Sequence, residues 1–286
     1  MQIDADSDGR VTWEELLTFL LQKDSGGDEE GNRFLPDVGY VPPPHSQQHT
    51  GQVTQLVAMP DKDKYLTLGR DGQMKAWQCG SLQHLRTTSL AEKGWAHDAV
   101  YSQASQRLVV ATVHSRLTTY DSVNLRMQKQ WRLPAVATAL CIVEQPDVSP
   151  RWASCLLVGN KDGLISVYDW EGLQAGEALR PRLELHAHEE WIQKLGYSRD
   201  AGGLISSSDD GTLKVHSLGV RGDLRQRYCL RSPTGKPIMG FAYSTAHAAV
   251  STCGLERHIH WWSLSIAGVY ICICMSMSMH MRMYTP

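Results

Sequence analysis

The sequence predicts a mainly β protein in which four-stranded units repeat around an axis as the blades of a β-propeller, preceded by a short helix. Five segments share an apolar strand, a tight turn and a second strand that ends in a ring-bearing residue. Six residues separate each turn residue from its ring, and successive rings are 43, 48, 48 and 46 residues apart, the length of one blade. The pairs are Asp71 and Trp77, His114 and Tyr120, Asp162 and Tyr168, Asp210 and His216, and Glu256 and Trp262.

The first 24 residues predict a calcium-binding loop followed by a helix. Counted from Asp4, residues 4–15 carry carboxylates at loop positions 1, 3, 5 and 12, and Gly9 stands at position 6. Calcium is held by about six to eight oxygens, and glycine allows the sharp reversal of such a tight loop. The pattern is typical of an EF-hand, here a partial one. The predicted Ca²⁺ ligands are Asp4, Asp6, Asp8, the carbonyl of Arg10, Thr12 and Glu15.

Two observations count against tight calcium binding. Only three residues precede Asp4, so the incoming helix is missing, and no second loop is present to pair with this one. We therefore expect low affinity, and the alternative is a vestigial, acidic helix-capping turn that binds nothing. The outgoing helix carries an apolar stripe and ends before Gly26 and Gly27, as helices commonly do.

Residues 25–48 predict a flexible linker between the loop and the repeats. The stretch begins with small and acidic residues and continues into the stiff run 41–44, which contains three prolines. A plain spacer explains these prolines better than a ligand for an SH3-type domain.

The repeats occupy residues 49–264, and their pattern stops after Leu264. Residues 265–286 form a low-complexity tail in which a few residue types alternate. We expect this tail to be non-native or disordered, although its period of two also suits a strand. A Met-rich copper-binding tail is the sharper alternative.

Composition and charge exclude several classes of function. The net charge of −2 gives no concentrated basic surface of the kind that nucleic-acid binding requires. Residues 1–30 carry −7 and the remainder +5, so the acidic segment favours a hard cation or a basic partner. The apolar stretch Ile266–Cys274 is too short to span a bilayer, and we predict no membrane partner.

Cysteine usage and the absence of catalytic motifs narrow the function further. The seven cysteines lack CxxC spacing and lie mostly in apolar runs, which predicts reduced thiols in an intracellular, cytoplasmic protein. The first residues are acidic rather than basic and then apolar, so we expect no secretory signal. No nucleophile constellation, phosphate loop or zinc spacing appears, so we predict neither an enzyme nor a small-molecule substrate.

The repeats resemble the WD-repeat family. In that family a histidine before the first strand, a serine or threonine, the turn aspartate and a tryptophan form a hydrogen-bonded tetrad in each blade. One repeat here matches all four positions, and another matches three, with His216 in place of the tryptophan. The matching residues are His49, Thr67, Asp71 and Trp77 in the first, and His188, Ser206 and Asp210 in the other. Because rings of this family commonly hold more blades, we expect five units to form an incomplete ring and the chain to be a fragment, an isoform or a partial gene model of a longer protein.

These polar residues allow two functional interpretations, which the sequence does not favour. His49 and Asp71 would suit an acid–base pair, but the same spacing recurs with the repeat, which one active site would not require. A buried histidine–aspartate–hydroxyl network satisfies its own polar groups and holds a blade together. His186 and His188 would suit metal ligands, but a loop before the first strand of a blade explains them better.

The combination of the two parts is similar to a family of EF-hand and WD-repeat proteins associated with cilia, flagella and testis. The resemblance implies a calcium-binding interaction scaffold whose protein partners dock on propeller loops and edges. A scaffold with a vestigial calcium loop is the second hypothesis. A propeller hydrolase is the third, and acidic or histidine side chains converging at the central channel would favour it.

Overall fold

The computed structural model describes residues 47–91, 94–144, 151–255, 258–264, 272–276 and 281–284, the last two segments by their backbone alone. The chain divides into two units, 1–44 and 45–286. The first unit, with the predicted calcium loop and helix, lies outside the described residues. So do all but the last residues of the predicted linker.

Five antiparallel sheets follow one another along the described chain, each built from strands that are consecutive in sequence. Blade one contains β1 (Val53–Met59), β2 (Lys64–Gly69), β3 (Gln73–Gln78) and β4 (His84–Ser89). Blade two contains β5 (Ala96–Ser102), β6 (Arg107–Thr112), β7 (Arg116–Asp121) and β8 (Met127–Arg132). Blade three contains β9 (Ala137–Val143), β10 (Cys155–Asn160), β11 (Leu164–Asp169) and β12 (Leu183–His186). Blade four contains β13 (Ile192–Ser198), β14 (Gly203–Ser208), β15 (Thr212–Leu218) and β16 (Leu224–Arg231). Blade five contains β17 (Ile238–Ser244), β18 (Ala249–Gly254), β19 (His258–Ser263), β20 (Cys272–Ser276) and β21 (Met281–Tyr284).

Two short helical turns connect strands within blades. Pro60–Lys62 is a single turn of 3-10 helix between β1 and β2, and α1 (Trp170–Ala175) joins β11 to β12. The Asp169 carboxylate accepts a hydrogen bond from the backbone amide of Gly172 at 3.1 Å and caps the start of α1. Gly176, with φ of 106°, ends the helix in the left-handed conformation that glycine favours.

The ring residues that defined the repeat occupy one equivalent position in all five blades. Each lies on the third strand and faces the residue twelve positions earlier in sequence, on the second strand. The facing pairs are Tyr65 and Trp77, Leu108 and Tyr120, Leu156 and Tyr168, Leu204 and His216, and Val250 and Trp262. The predicted mainly β, five-bladed propeller is therefore confirmed.

The blades pack face to face through four apolar cores, one between each consecutive pair. On β6, Leu108 and Val110 pack towards blade one, whereas Val109 and Ala111 pack towards blade three. Both faces of a middle strand are thus buried, which explains why the strands are continuously apolar rather than alternating. The inner strands β1, β5, β9, β13 and β17 pack in that order around the axis. β17 and β1, both fully described, do not make a comparable contact.

Two further strands lie near the end of the chain. β20 pairs with β19 as the fourth strand of blade five, and β21 adds a fifth. The alternation of residue types that marked this tail as low complexity is also the period of a strand. The free edge of β19 offers unpaired backbone groups to such a segment.

None of the helices in the described residues is long and apolar enough to cross a bilayer.

Candidate interaction site at the channel mouth

Every inner strand carries a β-bulge at its second residue. In β5, for example, Ala96 pairs with Thr112 and Asp98 with Ala111, so His97 between them has no partner on β6. A bulge bends its strand and re-aims a side chain. The bulged residues are Thr54, His97, Thr138, Gln193 and Met239. All five line one pocket of about 590 Å³. The pocket lies at one end of the central channel, the end at which the second strand of each blade turns into the third.

We call the rim of this pocket the channel mouth; it consists of Arg70, Trp95, His97, Trp191, Lys194 and Met239. Trp95 and His97 meet edge to face with ring centroids 4.5 Å apart, and His97 and Trp191 do so at 6.4 Å. Trp191 is 41% exposed and Met239 is 42% exposed. Large apolar side chains on a rigid frame form a surface suited to binding another molecule.

Two cations border these rings. The guanidinium of Arg70 lies 4.8 Å from the centroid of the Trp95 ring, a cation–π geometry. No hydrogen bond or ion pair holds this guanidinium within the described residues. Lys194 donates one hydrogen bond from Nζ to the backbone carbonyl of Phe241 at 3.0 Å. Burial, and then the charge of Arg70, lower the pKa of His97, so that this ring is neutral near pH 7.

Asp98 forms the floor of the pocket and is only 8% exposed. Its carboxylate accepts hydrogen bonds from the amides of Ala99 at 2.8 Å and Leu140 at 2.7 Å, and from the side-chain amide of Gln55. Burial raises the pKa of Asp98 to about 6, and these hydrogen bonds and the charge of Lys194 oppose the rise. Asp98 carries no signal in the sequence that marks it as part of a site, because its strand is recognisable but the bulge that turns it inward is not.

Polar groups near the channel mouth link each blade to the next. Gln55 and Asp98 join blades one, two and three, as just described, and Thr54 also donates to the carbonyl of Ala96 at 3.1 Å. Thr138 donates to the carbonyl of Ile192 at 2.6 Å and so joins blades three and four. The Lys194 bond joins blades four and five. These links hold the rings of the mouth in fixed relative positions.

The structure brings the four predicted tetrad residues of blade one together. Nδ1 of His49 lies 3.0 Å from the Asp71 carboxylate, and Nε2 lies 2.8 Å from the Thr67 hydroxyl. The indole N–H of Trp77 donates to the same hydroxyl at 2.9 Å. A neutral His49 with its proton on Nδ1 satisfies every group: Trp77 donates to Thr67, Thr67 to His49, and His49 to Asp71.

The carboxylate of Asp71 has further donors. The amides of Thr50 and Gln73 donate to it at 3.0 and 3.1 Å. Burial acts to raise the pKa of Asp71, but the hydrogen bonds from His49 and these amides outweigh it and lower the pKa overall. Because every polar group is already paired inside the blade, this geometry favours a structural role over an acid–base pair.

Blade four repeats the arrangement with one change. His188 lies 3.0 Å from Asp210 through Nδ1 and 2.8 Å from Ser206 through Nε2, and Thr212 also donates to Asp210 at 2.6 Å. Burial acts to raise the pKa of Asp210, but the hydrogen bonds from His188 and Thr212 outweigh this effect and lower the pKa far below its usual range. His216 stands where blade one has Trp77, and its Nδ1 has no hydrogen-bond partner among the described residues.

Two of the remaining blades show related hydrogen bonds. In blade three the side chain of Asn160, not the predicted turn residue Asp162, accepts from the amides of Asp162 and Leu164 at 2.9 and 3.0 Å. In blade five the indole of Trp262 donates to Thr252 at 2.9 Å, as Trp77 does to Thr67.

The predicted metal ligands fall into two groups. Asp4, Asp6, Asp8, Arg10, Thr12 and Glu15 all lie outside the described residues. His186 is exposed on β12, whereas His188 is buried in its tetrad. Across the part of the chain that the structure describes, no three His, Cys, Asp or Glu side chains are grouped to hold a metal ion.

One comparison with known proteins identifies part of the chain. A family model described as WD domain, G-beta repeat (WD40) matches residues 179–217. The match includes β12, the outer strand of blade three, and extends into β15 of blade four, so that it contains His188, Ser206 and Asp210. The chain therefore contains a WD40 repeat. The sequence repeat begins with the outer strand of one blade and ends with the third strand of the next, so it is offset by one strand from the four-stranded blade.

Proposed function

We propose that this WD40 propeller is a protein-interaction scaffold that binds its partners at the channel mouth. One observation carries the proposal: Trp191 and Met239 expose large apolar side chains in the pocket that Trp95 and His97 also line, at or immediately before the starts of inner strands that are linked from blade to blade. Interface energy concentrates in such aromatic residues, surrounded by contacts that exclude water.

Selection from a displayed library of random dodecapeptides on the full chain tests this proposal. Selected peptides should bind the wild-type chain and lose about tenfold or more of their affinity on Trp191→Ala, the usual cost of truncating an aromatic anchor. Leu85→Ala is the matched control, because Leu85 is 42% exposed on the outer strand β4, away from the mouth. Peptides that bind Trp191→Ala as tightly as wild type, or a library that yields no binders, would contradict the proposal.

We further propose that the chain binds calcium through the loop at residues 4–15. The support is the sequence alone, namely oxygen donors at alternate positions, glycine at position 6 and glutamate at position 12. Calorimetric titration of the full chain to millimolar calcium should release or absorb heat, and Asp4→Ala should remove that signal. Asp28→Ala, in the same acidic segment but outside the loop, should not. A wild-type chain that gives no heat would leave a scaffold with a vestigial loop.

A location follows from the same proposal. We propose a cytoplasmic location, with a cilium or flagellum as the specific compartment; the family resemblance and the scattered cysteines support this proposal. Fluorescence microscopy of the tagged chain in ciliated cells tests this, and a signal confined to the cell body would contradict the ciliary part.

A further inference from the structure

The chemistry of the channel mouth identifies the kind of peptide that it fits, and this inference rests on the proposed function. Three charged side chains line the pocket, namely Arg70, Asp98 and Lys194. Their surroundings differ. The two cations are exposed at the rim, whereas the carboxylate is buried in the floor.

Asp98 has little capacity left for a ligand. Its two oxygens already accept hydrogen bonds from Gln55, Ala99 and Leu140. These donors hold the carboxylate in the wall between blades and leave only about one of its four acceptor positions open to a cationic ligand.

Arg70 and Lys194, by contrast, keep donors available. The Arg70 guanidinium is stacked on Trp95 and has no hydrogen-bond acceptor among the described residues. A guanidinium that is held against an aromatic ring is already oriented to donate two parallel hydrogen bonds to a carboxylate. Lys194 carries three donors and uses one on the Phe241 carbonyl.

The apolar part of the mouth lies beside these cations. The exposed faces of Trp191 and Met239 can cover one large side chain of a ligand. A neighbouring carboxylate on that ligand would then lie within the field of both cations.

We infer that the channel mouth binds a peptide segment in which a carboxylate lies next to an aromatic or long aliphatic side chain. The carboxylate occupies the space between Arg70 and Lys194, and the apolar side chain packs on Trp191 and Met239. The carboxylate belongs to an aspartate, to a glutamate or to the C-terminus of the partner.

A nucleic acid fits this surface less well. Phosphate chains need several cations in a row, and the pocket lining holds two. Glu189 and Glu190, both exposed, immediately precede Trp191 and oppose a polyanion that extends past the mouth.

The dodecapeptide selection on the full chain tests this inference through the composition of the selected peptides. Aspartate or glutamate next to an aromatic or leucine residue should be enriched. Synthetic copies with each acid changed to its amide, and copies with an amidated C-terminus, identify which carboxylate binds. Arg70→Gln and Lys194→Gln should each weaken the peptides about tenfold or more. Arg227→Gln should leave them unchanged, because Arg227 stacks on Tyr228 in the outer strand β16 of blade four.

A reversal of charge separates loss of binding from loss of folding. Selection on Arg70→Glu should enrich lysine or arginine instead of acids, a change that an unfolded chain cannot produce. Peptides that depend on Trp191 but show no preference for acids would overturn this inference and leave the proposed function standing. Failure to select any peptide would overturn both. Binding of a twelve-residue oligothymidylate that is lost on Arg70→Gln would overturn the assignment to a peptide.

Discussion

Asp98 on β5 accepts a hydrogen bond from the backbone amide of Leu140 on β9 at 2.7 Å, so a single carboxylate ties the inner strand of blade two to that of blade three. The same carboxylate accepts from Gln55 on β1. Three consecutive blades therefore meet at one buried ionisable group, and its protonation affects the stability of the propeller.

We expect the Asp98 carboxyl to make the propeller more stable as the pH falls from 7 to 4. Burial raises the pKa to about 6 in the folded chain, above its unfolded value of 3.8, so between these values the folded chain holds the extra proton. The unfolding free energy of the wild type, relative to Asp98→Asn, should rise by about 3 kcal/mol over this range and stay constant above pH 7. Urea unfolding at pH 4, 5.5 and 7.5 measures the difference. A difference that is the same at all three values would contradict the assignment.

His216 should act in the opposite direction. Burial, and then the charges of His188 and Lys214, lower its pKa from 6.5 to about 4. Below pH 6.5 the unfolded chain binds a proton at residue 216, whereas the folded chain does so only near pH 4. This histidine therefore destabilises the fold as the pH falls. Relative to His216→Phe, the wild type should lose about 3 kcal/mol of unfolding free energy between pH 7 and 4. Urea unfolding of both chains at pH 4, 5.5 and 7.5 measures this loss, and an equal difference at the three pH values would argue against it.

The Thr67 hydroxyl connects two members of the tetrad in blade one, and its removal should be costly. Thr67→Val keeps the shape but leaves the Trp77 indole and Nε2 of His49 without their partner, at a cost of about 2–4 kcal/mol in unfolding free energy. Thr87→Val is a matched control. Thr87 makes a hydrogen bond of the same length, 2.8 Å, to Nε2 of His84, but on the exposed strand β4. Water replaces that bond, so the control should cost under about 0.5 kcal/mol, and equal losses would argue against a buried network.

The periodic features of the chain could be predicted from the sequence, and the features that depend on neighbouring blades could not. The spacing from Asp71 to Trp77 reflects the length of one turn and one strand, so it recurs wherever a blade does. The bulge at His97 and the inward orientation of Asp98 produce no recognisable spacing in the sequence, because a bulge adds a single residue between two ordinary pairs. The mouth is assembled from four blades, and Trp95 and Trp191 are therefore distant in sequence. At residue 216 the sequence predicted a departure from the repeat, and the structure gives its consequence, a buried ring nitrogen without a partner among the described residues.

Gly163 should tolerate no side chain, because its turn in blade three lies directly against the loop that begins blade four. Its carbonyl accepts hydrogen bonds from the amides of Ala187 and His188, each at 3.0 Å. A Cβ on Gly163 would lie 1.9 Å from the carbonyl oxygen of His188, and φ is +74°. Gly163→Ala must therefore separate the two blades or break both hydrogen bonds. We expect a loss of about 3 kcal/mol or more in unfolding free energy.

Gly80 distinguishes this close contact from the cost of backbone strain alone. It has nearly the same conformation, with φ of +79°, but a Cβ there would meet no atom within 4 Å. Gly80→Ala should therefore cost only about 1 kcal/mol, the penalty of placing alanine in a left-handed turn. Urea unfolding of both variants at pH 7.5 gives the comparison. If the two substitutions cost the same, strain would account for both, and the packing of the Gly163 turn on His188 would contribute nothing to holding blades three and four together.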